Sequence, residues 1–381
     1  MSVLASRPGL RWLVPVSAAV AVLGGGLAVG AITAAADRSL PTRSAADLLV
    51  DLQSARLDGL SGTVVARADL GLPAIPVPGD GSSELSSLLS GTHTLRVWYS
   101  GPNQARVALM GTLNETDVIT NGTDVWVWSS RENKATHRTL PAPDGTPKAN
   151  PLPMPTDSGF GMTPDALAKA ALALLSPSTD VTTDGSASVA GRDAYELVLK
   201  PKDPASLIGA VRVAIDATEH VPLRVAVDAR GGGDPAIEVA FTQVSFARPD
   251  ASQFTFNPPP GAQVVESTEE PTPGGAKPDA AKPDLTGAGE RPQVAMVGQF
   301  WTSVIVARLP QEAGANGEKK DTFGGFIAQL PTMTGPWGSG HYVTGRLFSA
   351  LFTDDGRILI GAVSADRLSQ AAADPKAKLG S

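Results

Sequence analysis

The chain has 381 residues, a formal net charge of −7 and no cysteine. The absence of cysteine excludes disulfides, thiolate metal sites, a cysteine nucleophile and a lipid-modified cysteine. The negative charge argues against a basic surface for nucleic acid, whereas an apolar fraction of 42% is enough for a core. The length leaves room for one large or two modest domains.

The N-terminal segment, residues 1–37, predicts export. Arg7 and Arg11 precede an uncharged run over residues 12–36, which ends in alanines before Asp37. A basic start, an apolar centre and a small-residue end are typical of an export signal. The run also suits a membrane anchor, because about 25 helical residues span about 37 Å against a bilayer core of about 30 Å. We expect either a single-pass anchor with the C-terminal part outside the cytoplasm, or a secreted protein cleaved after Ala36.

The chain from residue 44 onward indicates a helix followed by a long run of strands. Ser44 is placed to cap a helix that ends near residue 56, with Asp47 as the reciprocal cap. Segments rich in Val, Thr and Trp, separated by turn residues, then predict strands. Asn121-Gly122 between two of them is a strong hairpin signal. The predicted strands cover residues 60–70, 92–100, 104–110, 113–120, 124–129, 135–140, 186–189, 194–201, 210–216, 223–228 and 237–246.

Two more helices and a second unit complete the prediction. A short helix is expected at residues 84–89, and Thr163 with Pro164 is typical of the start of a helix that would end near residue 175. The main unit would then cover residues 44–266, followed by a linker rich in Pro, Gly and Ala at 267–292 and by a small α+β unit at 293–375. In that unit we expect strands at residues 294–309, 341–352 and 358–363 and helices at residues 323–330 and 366–373.

The predicted strand at residues 124–129 is apolar on both faces. Period-two alternation sends Trp126 and Trp128 to one face and Val125 and Val127 to the other. The tryptophans could fill the core while the valines pack under a helix, or one of the two rows could line a cavity for acyl chains. A long antiparallel sheet tends to curl, and its concave apolar face must then be covered by helices or by a ligand.

Several motifs follow one another in a distinctive order. They are Leu95-Arg96-Val97-Trp98, residues 118–128, Lys134-Ala135-Thr136, residues 191–197, a strand that ends in Asp216, and Val221-Pro222-Leu223. Over residues 44–265 this order resembles the LolA family of periplasmic lipoprotein carriers and the related RseB (MucB) sensors. The chain looks closest to actinobacterial LolA-like proteins that carry a leader and a C-terminal extension.

The resemblance implies a mainly β (α+β) fold, in which a curved antiparallel sheet forms an unclosed half-barrel with helices as a lid over a hydrophobic cavity. It also implies that acyl chains are bound without covalent chemistry. The residues expected to line the cavity are Leu95, Val97, Leu109, Ile119, Trp126, Trp128, Leu197, Val213 and Val225. The residues expected in the lid are Leu167, Ala170, Ala171 and Leu174.

We therefore expect a non-enzymatic extracytoplasmic binder of lipid or lipoprotein acyl chains, without cofactor, metal or nucleic acid. The alternative is an RseB-like envelope-stress sensor that acts on a membrane anti-sigma factor or another signalling partner. An enzyme is disfavoured because the chain shows no nucleophile elbow, HExxH motif or phosphate-binding glycine loop. The four histidines, His93, His137, His220 and His341, share no metal-ligand spacing.

Overall fold

A computed structural model describes residues 40–72, 90–111, 113–140, 172, 176–267, 294–308 and 320–377. The predicted leader, the predicted helix at 84–89 and the lid residues Leu167, Ala170, Ala171 and Leu174 lie outside these residues. Within the described ranges, no helix has the length and apolar character needed to cross a membrane.

The main structural feature is a sheet of twelve strands in the order β12-β6-β5-β4-β3-β2-β1-β11-β10-β9-β8-β7. Among the described strands, β12 and β6 are the only parallel pair, and β12 and β7 lie at the two ends of the strand order. The sheet is therefore unclosed, which confirms the predicted mainly β, half-barrel fold class. The strands are β1 (Leu60–Asp69), β2 (Ser90–Tyr99), β3 (Gln104–Met110), β4 (Glu115–Asn121), β5 (Asp124–Ser129), β6 (Lys134–Thr139), β7 (Thr179–Val189), β8 (Arg192–Pro201), β9 (Ile208–Asp216), β10 (Pro222–Ala229), β11 (Ile237–Ser245) and β12 (Gln263–Glu266).

Local sequence signals explain how this sheet begins and turns. Helix α1 (Ala45–Ser54) precedes β1, and Ser44 and Asp47 form the predicted reciprocal cap. Between β4 and β5 the chain reverses through a two-residue loop, in which Gly122 has a φ of +66°. Glycine adopts this backbone conformation without the steric penalty of other residues, which accounts for the hairpin signal at this position.

Helix α1 packs against one face of the sheet, which we call the helix face. Leu48 of the helix is fully buried with Tyr195, Leu197 and Ile215 of β8 and β9. These three strand residues alternate with residues of the other side, which we call the opposite face. Because residues directly paired across strands share a face, the register fixes the face of every strand from this starting point.

The second unit is a six-stranded sheet in the order β13-β14-β18-β17-β16-β15. Its strands are β13 (Val294–Val297), β14 (Val304–Arg308), β15 (Thr332–Gly335), β16 (Gly338–Thr344), β17 (Ser349–Thr353) and β18 (Arg357–Gly361), and its helices are α2 (Lys320–Ala328) and α3 (Ala365–Ala373). Leu368 of α3 packs with Val306, Leu351 and Leu359 to form its main core.

Two strands predicted as continuous in this unit are interrupted. The predicted strand at residues 294–309 is broken by a 3₁₀ turn at Phe300–Thr302, which follows Gly298 with a φ of +91°. The predicted strand at residues 341–352 is a hairpin of β16 and β17 with its turn at residues 345–348. In both places the apolar pattern continues through the turn, so that hydrophobicity alone does not reveal the reversal.

The two sheets are in direct contact where β1 of the large sheet ends and β9 begins. Arg346, in the turn between β16 and β17, places Nη1 2.8 Å from Oδ2 of Asp69 at the end of β1. Its backbone N–H donates to the carbonyl oxygen of Leu70, and the N–H of Leu207 donates to that of Ala362. The contact thus combines an ion pair with backbone hydrogen bonds.

Candidate functional site

The helix face is apolar across most of the large sheet. One row of directly paired residues crosses six strands from β8 to β2, and it consists of Leu197, Val213, Val225, Val239, Ala66 and His93. Helix α1 covers the β8 and β9 end of this row. We call these six residues the long row.

A second apolar row continues on the helix face of β2 to β5. Val97, Val107, Val118 and Val127 are directly paired from strand to strand, and we call them the valine row. Val118 is 43% exposed, and the other three valines are partly exposed. Between the two rows, Leu95 is buried with Val64 and Val239 and contacts Leu109. The helix face of β2 to β5 therefore offers an apolar surface that remains partly accessible to water.

On strands β8 to β11 and β1, by contrast, the opposite face is charged. Arg212 lies 3.0 Å from Glu196 and 2.8 Å from Asp228, while Arg224 lies 2.7 Å from Glu196 and 3.9 Å from Glu238. Alternating charges of this kind suit a surface that faces solvent. The two faces of this half of the sheet thus differ sharply in polarity.

On strands β3 to β6, the opposite face is aromatic and covered. Residues 247–262, which we call the crossing segment, pass over it between β11 and β12. Phe254 is 1% exposed, and the ring of Phe256 lies 5.2 Å from that of Trp126 and 6.0 Å from that of Trp128. The protein itself therefore fills the space over both tryptophans.

The nine predicted lining residues do not share one face. Six lie on the helix face, namely Leu95, Val97, Leu109, Leu197, Val213 and Val225. Ile119, Trp126 and Trp128 lie on the opposite face, so that the structure does not bring all nine residues together on one face. The physical reason is that β5 is apolar on both faces, and alternation alone cannot tell which row faces the helix side. Val125 and Val127 occupy the helix face of β5 instead.

His137 and β12 complete the covered side. The imidazole of His137 stacks on Trp126 with ring centroids 4.2 Å apart. Its Nδ1 lies 2.9 Å from Oε2 of Glu266 in β12, and its Nε2 lies 3.1 Å from Oδ1 of Asp124. The sequence does not predict strand β12, and the aromatic pair Phe254 and Phe256 is the local signal that the crossing segment before it packs against the sheet.

Asp117 is a buried acid on the covered face. Its side chain is 3% exposed, and its Oδ2 lies 2.5 Å from Nη2 of Arg106, whose guanidinium lies over the ring of Trp98. Burial raises the pKa of Asp117 to about 6, the neighbouring Glu115 raises it as well, and Arg106 opposes both effects. Asp117 lies on the opposite face of β4, away from the valine row.

Asp216 joins two of the motifs that carry the family resemblance. Arg192 donates two hydrogen bonds to its carboxylate, and the backbone N–H groups of Thr218 and Glu219 donate two more. Burial alone would raise the pKa of Asp216, but these hydrogen bonds hold it below its usual value. The guanidinium of Arg192 also lies over the ring of Phe246. These contacts fix the adjoining ends of β8 and β9.

His93 lies at the β2 end of the long row, opposite Ala66. Burial lowers the pKa of its imidazole. His341 contacts the carbonyl oxygen of Leu330 in the second unit, far from His93 in the chain. Within the residues that the structure describes, no group of three or more His, Asp or Glu side chains is arranged to hold a metal ion.

No protein-family model and no curated protein matches the sequence. Solved structures of similar fold include the Pseudomonas aeruginosa MucA/MucB complex, with 16% identity, a TM-score of 0.41 and coverage of 86% of this chain and 96% of that chain. MucB in complex with MucA(peri) matches with 17% identity, a TM-score of 0.40 and coverage of 86% and 97%. A LolA superfamily protein from Nitrosomonas europaea matches with 12% identity, a TM-score of 0.21 and coverage of 56% and 99%.

Proposed function

We propose that this protein is a non-enzymatic extracytoplasmic binder, which holds lipid or lipoprotein acyl chains against the helix face of its large sheet. The observation that carries the proposal is the valine row, because four paired valines on adjacent strands remain partly exposed. Apolar surface in contact with water is unfavourable by about 25 cal/mol per Å². An acyl chain laid on this surface would remove that contact.

The polarity of the sheet supports the helix face as the binding side. The opposite face carries the charged network of Arg212 and Arg224 on one half and is covered by the crossing segment on the other half. A hydrocarbon chain has no favourable contact with the charged half and no room on the covered half. The helix face is the remaining large apolar surface of the described strands.

The leader suggests where the protein acts. We propose that residues 12–36 hold the protein at the cytoplasmic membrane, with the two sheets on the outer side. An acyl-binding surface fixed beside a membrane would be close to its lipids. Fractionation tests this part separately: a freely soluble native protein whose N-terminus is Asp37 would show that the leader is a cleaved signal.

The binding test uses a charged residue in the valine row. Val118→Asp places a carboxylate on the exposed apolar surface, where it should reduce binding of a fluorescent fatty acyl probe about tenfold or more. Val264→Asp is the matched control, because Val264 is 48% exposed but lies in the edge strand β12. Equal binding by both variants, with unchanged circular dichroism spectra, would show that the valine row is not the binding surface.

A sensor of the RseB (MucB) type is the second candidate. The observation that favours it is the direct contact between the two sheets, in which Arg346 binds Asp69 and the carbonyl oxygens of Gly232 and Asp234. Such a contact could transmit the state of the acyl-binding face to a membrane regulator that binds the second unit. Crosslinking in native membranes tests this: repeated recovery of no membrane regulator would argue against the sensor.

A further inference from the structure

His93 has a ring nitrogen that no described residue satisfies. Its Nε2 atom is enclosed and has no hydrogen-bond partner in the part of the chain that the structure describes. Buried polar atoms are paired in the great majority of cases, because an unpaired one loses its hydrogen bonds to water without replacement. The enclosed nitrogen therefore marks a place where a bound group can supply the missing partner.

The position of His93 is what makes this nitrogen informative. It is the polar end of the long row, whose other five members are Leu197, Val213, Val225, Val239 and Ala66. Leu95, two residues further along β2 on the same face, is 1% exposed and packs among apolar side chains. Ala66 and Val239 of the long row are 1% and 7% exposed, whereas His93 is only partly buried, so a bound molecule reaches the long row at its His93 end.

The protonation state of the ring restricts the type of partner. Burial lowers the pKa of His93, so that the neutral imidazole is the form present near neutral pH. A neutral imidazole has one N–H donor and one acceptor nitrogen. It can donate to a carbonyl oxygen without bringing a charge into the apolar surroundings, whereas a carboxylate would have to be buried there as an unpaired charge.

We propose that His93 donates a hydrogen bond to the carbonyl oxygen of an ester-linked acyl chain, whose hydrocarbon part lies on the helix face. This inference rests on the proposed function and narrows its ligand to acyl esters. An alkyl ether of the same length has the same hydrocarbon chain but lacks the carbonyl oxygen. The difference in affinity between the ester and the ether therefore measures the hydrogen bond from His93, because both ligands make the same contact with the apolar surface.

The experiment measures binding of matched ester and ether lipids to the full-length protein by calorimetry. The first arm uses 1-palmitoyl lysophosphatidylcholine and its 1-O-hexadecyl ether analogue, each below its micelle concentration. The second arm uses a synthetic diacylglyceryl-cysteine peptide and its dialkyl ether form. We expect the ester to bind about three to ten times more tightly than the ether in at least one arm, which corresponds to one hydrogen bond. The arm that shows the preference identifies a phospholipid or a lipoprotein as the source.

Variants of His93 test whether this residue causes the preference. His93→Leu should bind ester and ether equally, while His93→Gln, which keeps an N–H donor, should retain part of the preference. Thr94→Val is the matched control, because Thr94 is the next residue of β2, on the opposite face, and also loses a polar group. It should keep the full preference of the unmodified protein.

The outcomes separate the two proposals. Equal binding of ester and ether by the unmodified protein overturns the role of His93 and leaves acyl binding intact. An ester preference that persists in a folded His93→Leu variant also overturns it. The proposed function itself is overturned if none of the four lipids binds and Val118→Asp binds the acyl probe no differently from the unmodified protein. The inference about His93 then falls with it.

Discussion

The ring of Phe256 lies over the ring of Trp126, with centroids 5.2 Å apart and planes inclined by 48°. This contact joins the crossing segment to the strand whose two tryptophans stood out in the sequence. It shows that Trp126 belongs to a covered face of the sheet, because the protein supplies the aromatic neighbour that a ligand would otherwise provide. A charged substitution at Trp126 is therefore expected to disturb folding before it disturbs binding.

Phe254 provides a direct test of this cover. Phe254→Ala removes a fully buried ring, and such a change in a core destabilises a protein by about 3–5 kcal/mol. Phe256→Ala should have a smaller effect, because Phe256 is only partly buried. We expect chemical denaturation to show this order, and tryptophan fluorescence to shift to longer wavelength in both variants as water reaches the indoles.

Acyl binding distinguishes the cover from a binding surface. If the tryptophans belong to the covered side, Phe256→Ala should leave binding of the acyl probe within about twofold of the unmodified protein, provided that the variant remains folded. A loss of binding comparable to that of Val118→Asp would instead place the ligand on the opposite face. The two variants thus report on the two faces of one sheet.

The sequence predicts most strands because their local signals agree. The reciprocal cap of Ser44 and Asp47, the turn at Gly122 and the alternation along β2 to β5 each specify local geometry. Local geometry does not specify which face is buried when both faces are apolar, as in β5. The positions of Trp126 and Trp128 depend on Phe254 and Phe256, more than a hundred residues away in the chain, which period-two alternation does not reveal.

The same limit applies to the candidate site. Leu197, Val213 and Val225 belong to one cross-strand row because β8 to β10 pair in register, and their apolar character predicts that they share a face. His93 joins this row only through the pairing of β1 with β2 and β11. A single histidine in a strand carries no local sign of its partners, and its unpaired nitrogen is visible only once the strands are assembled.

Asp117 predicts a pH dependence of stability with a definite sign. Its pKa is raised to about 6 in the folded protein from the usual 3.8. Between these values the folded state binds more protons than the unfolded state, so the free energy of unfolding falls as the pH rises from about 4 to about 6. One unit of pKa corresponds to about 1.4 kcal/mol, so the whole fall is about 1–3 kcal/mol.

Asp117→Asn should remove this part of the pH dependence, because the amide does not titrate. Chemical denaturation at several pH values between 4 and 7 measures the difference between the two proteins. Asp180→Asn is the control, since Asp180 is an exposed strand residue whose Oδ1 lies 3.5 Å from Nζ of Lys202. If the free energy of unfolding of Asp117→Asn fell between pH 4 and pH 6 as much as that of the unmodified protein, Asp117 would not be the source of this pH dependence.

Arg346 predicts how firmly the two sheets are joined. Arg346→Ala removes the ion pair with Asp69 and the hydrogen bonds to the carbonyl oxygens of Gly232 and Asp234. Because the side chain of Asp69 is 74% exposed, solvent screens its ion pair with Arg346, which contributes at most about 1 kcal/mol. Two backbone amides donate hydrogen bonds across the contact, that of Leu207 to Ala362 and that of residue 346 to Leu70. We expect both amides to exchange faster in the variant.

An arginine elsewhere in the second unit controls for the loss of charge. Arg367 is exposed on α3 and donates to Gln370 of its own helix, so Arg367→Ala should leave the exchange of Leu207 unchanged. If Arg346→Ala also left it unchanged, the backbone hydrogen bonds and the apolar cluster around Leu70 and Leu347 would hold the sheets together without the guanidinium. Faster exchange only in Arg346→Ala, extending to β1 next to His93, would show that the second unit restrains the rim of the proposed acyl-binding face.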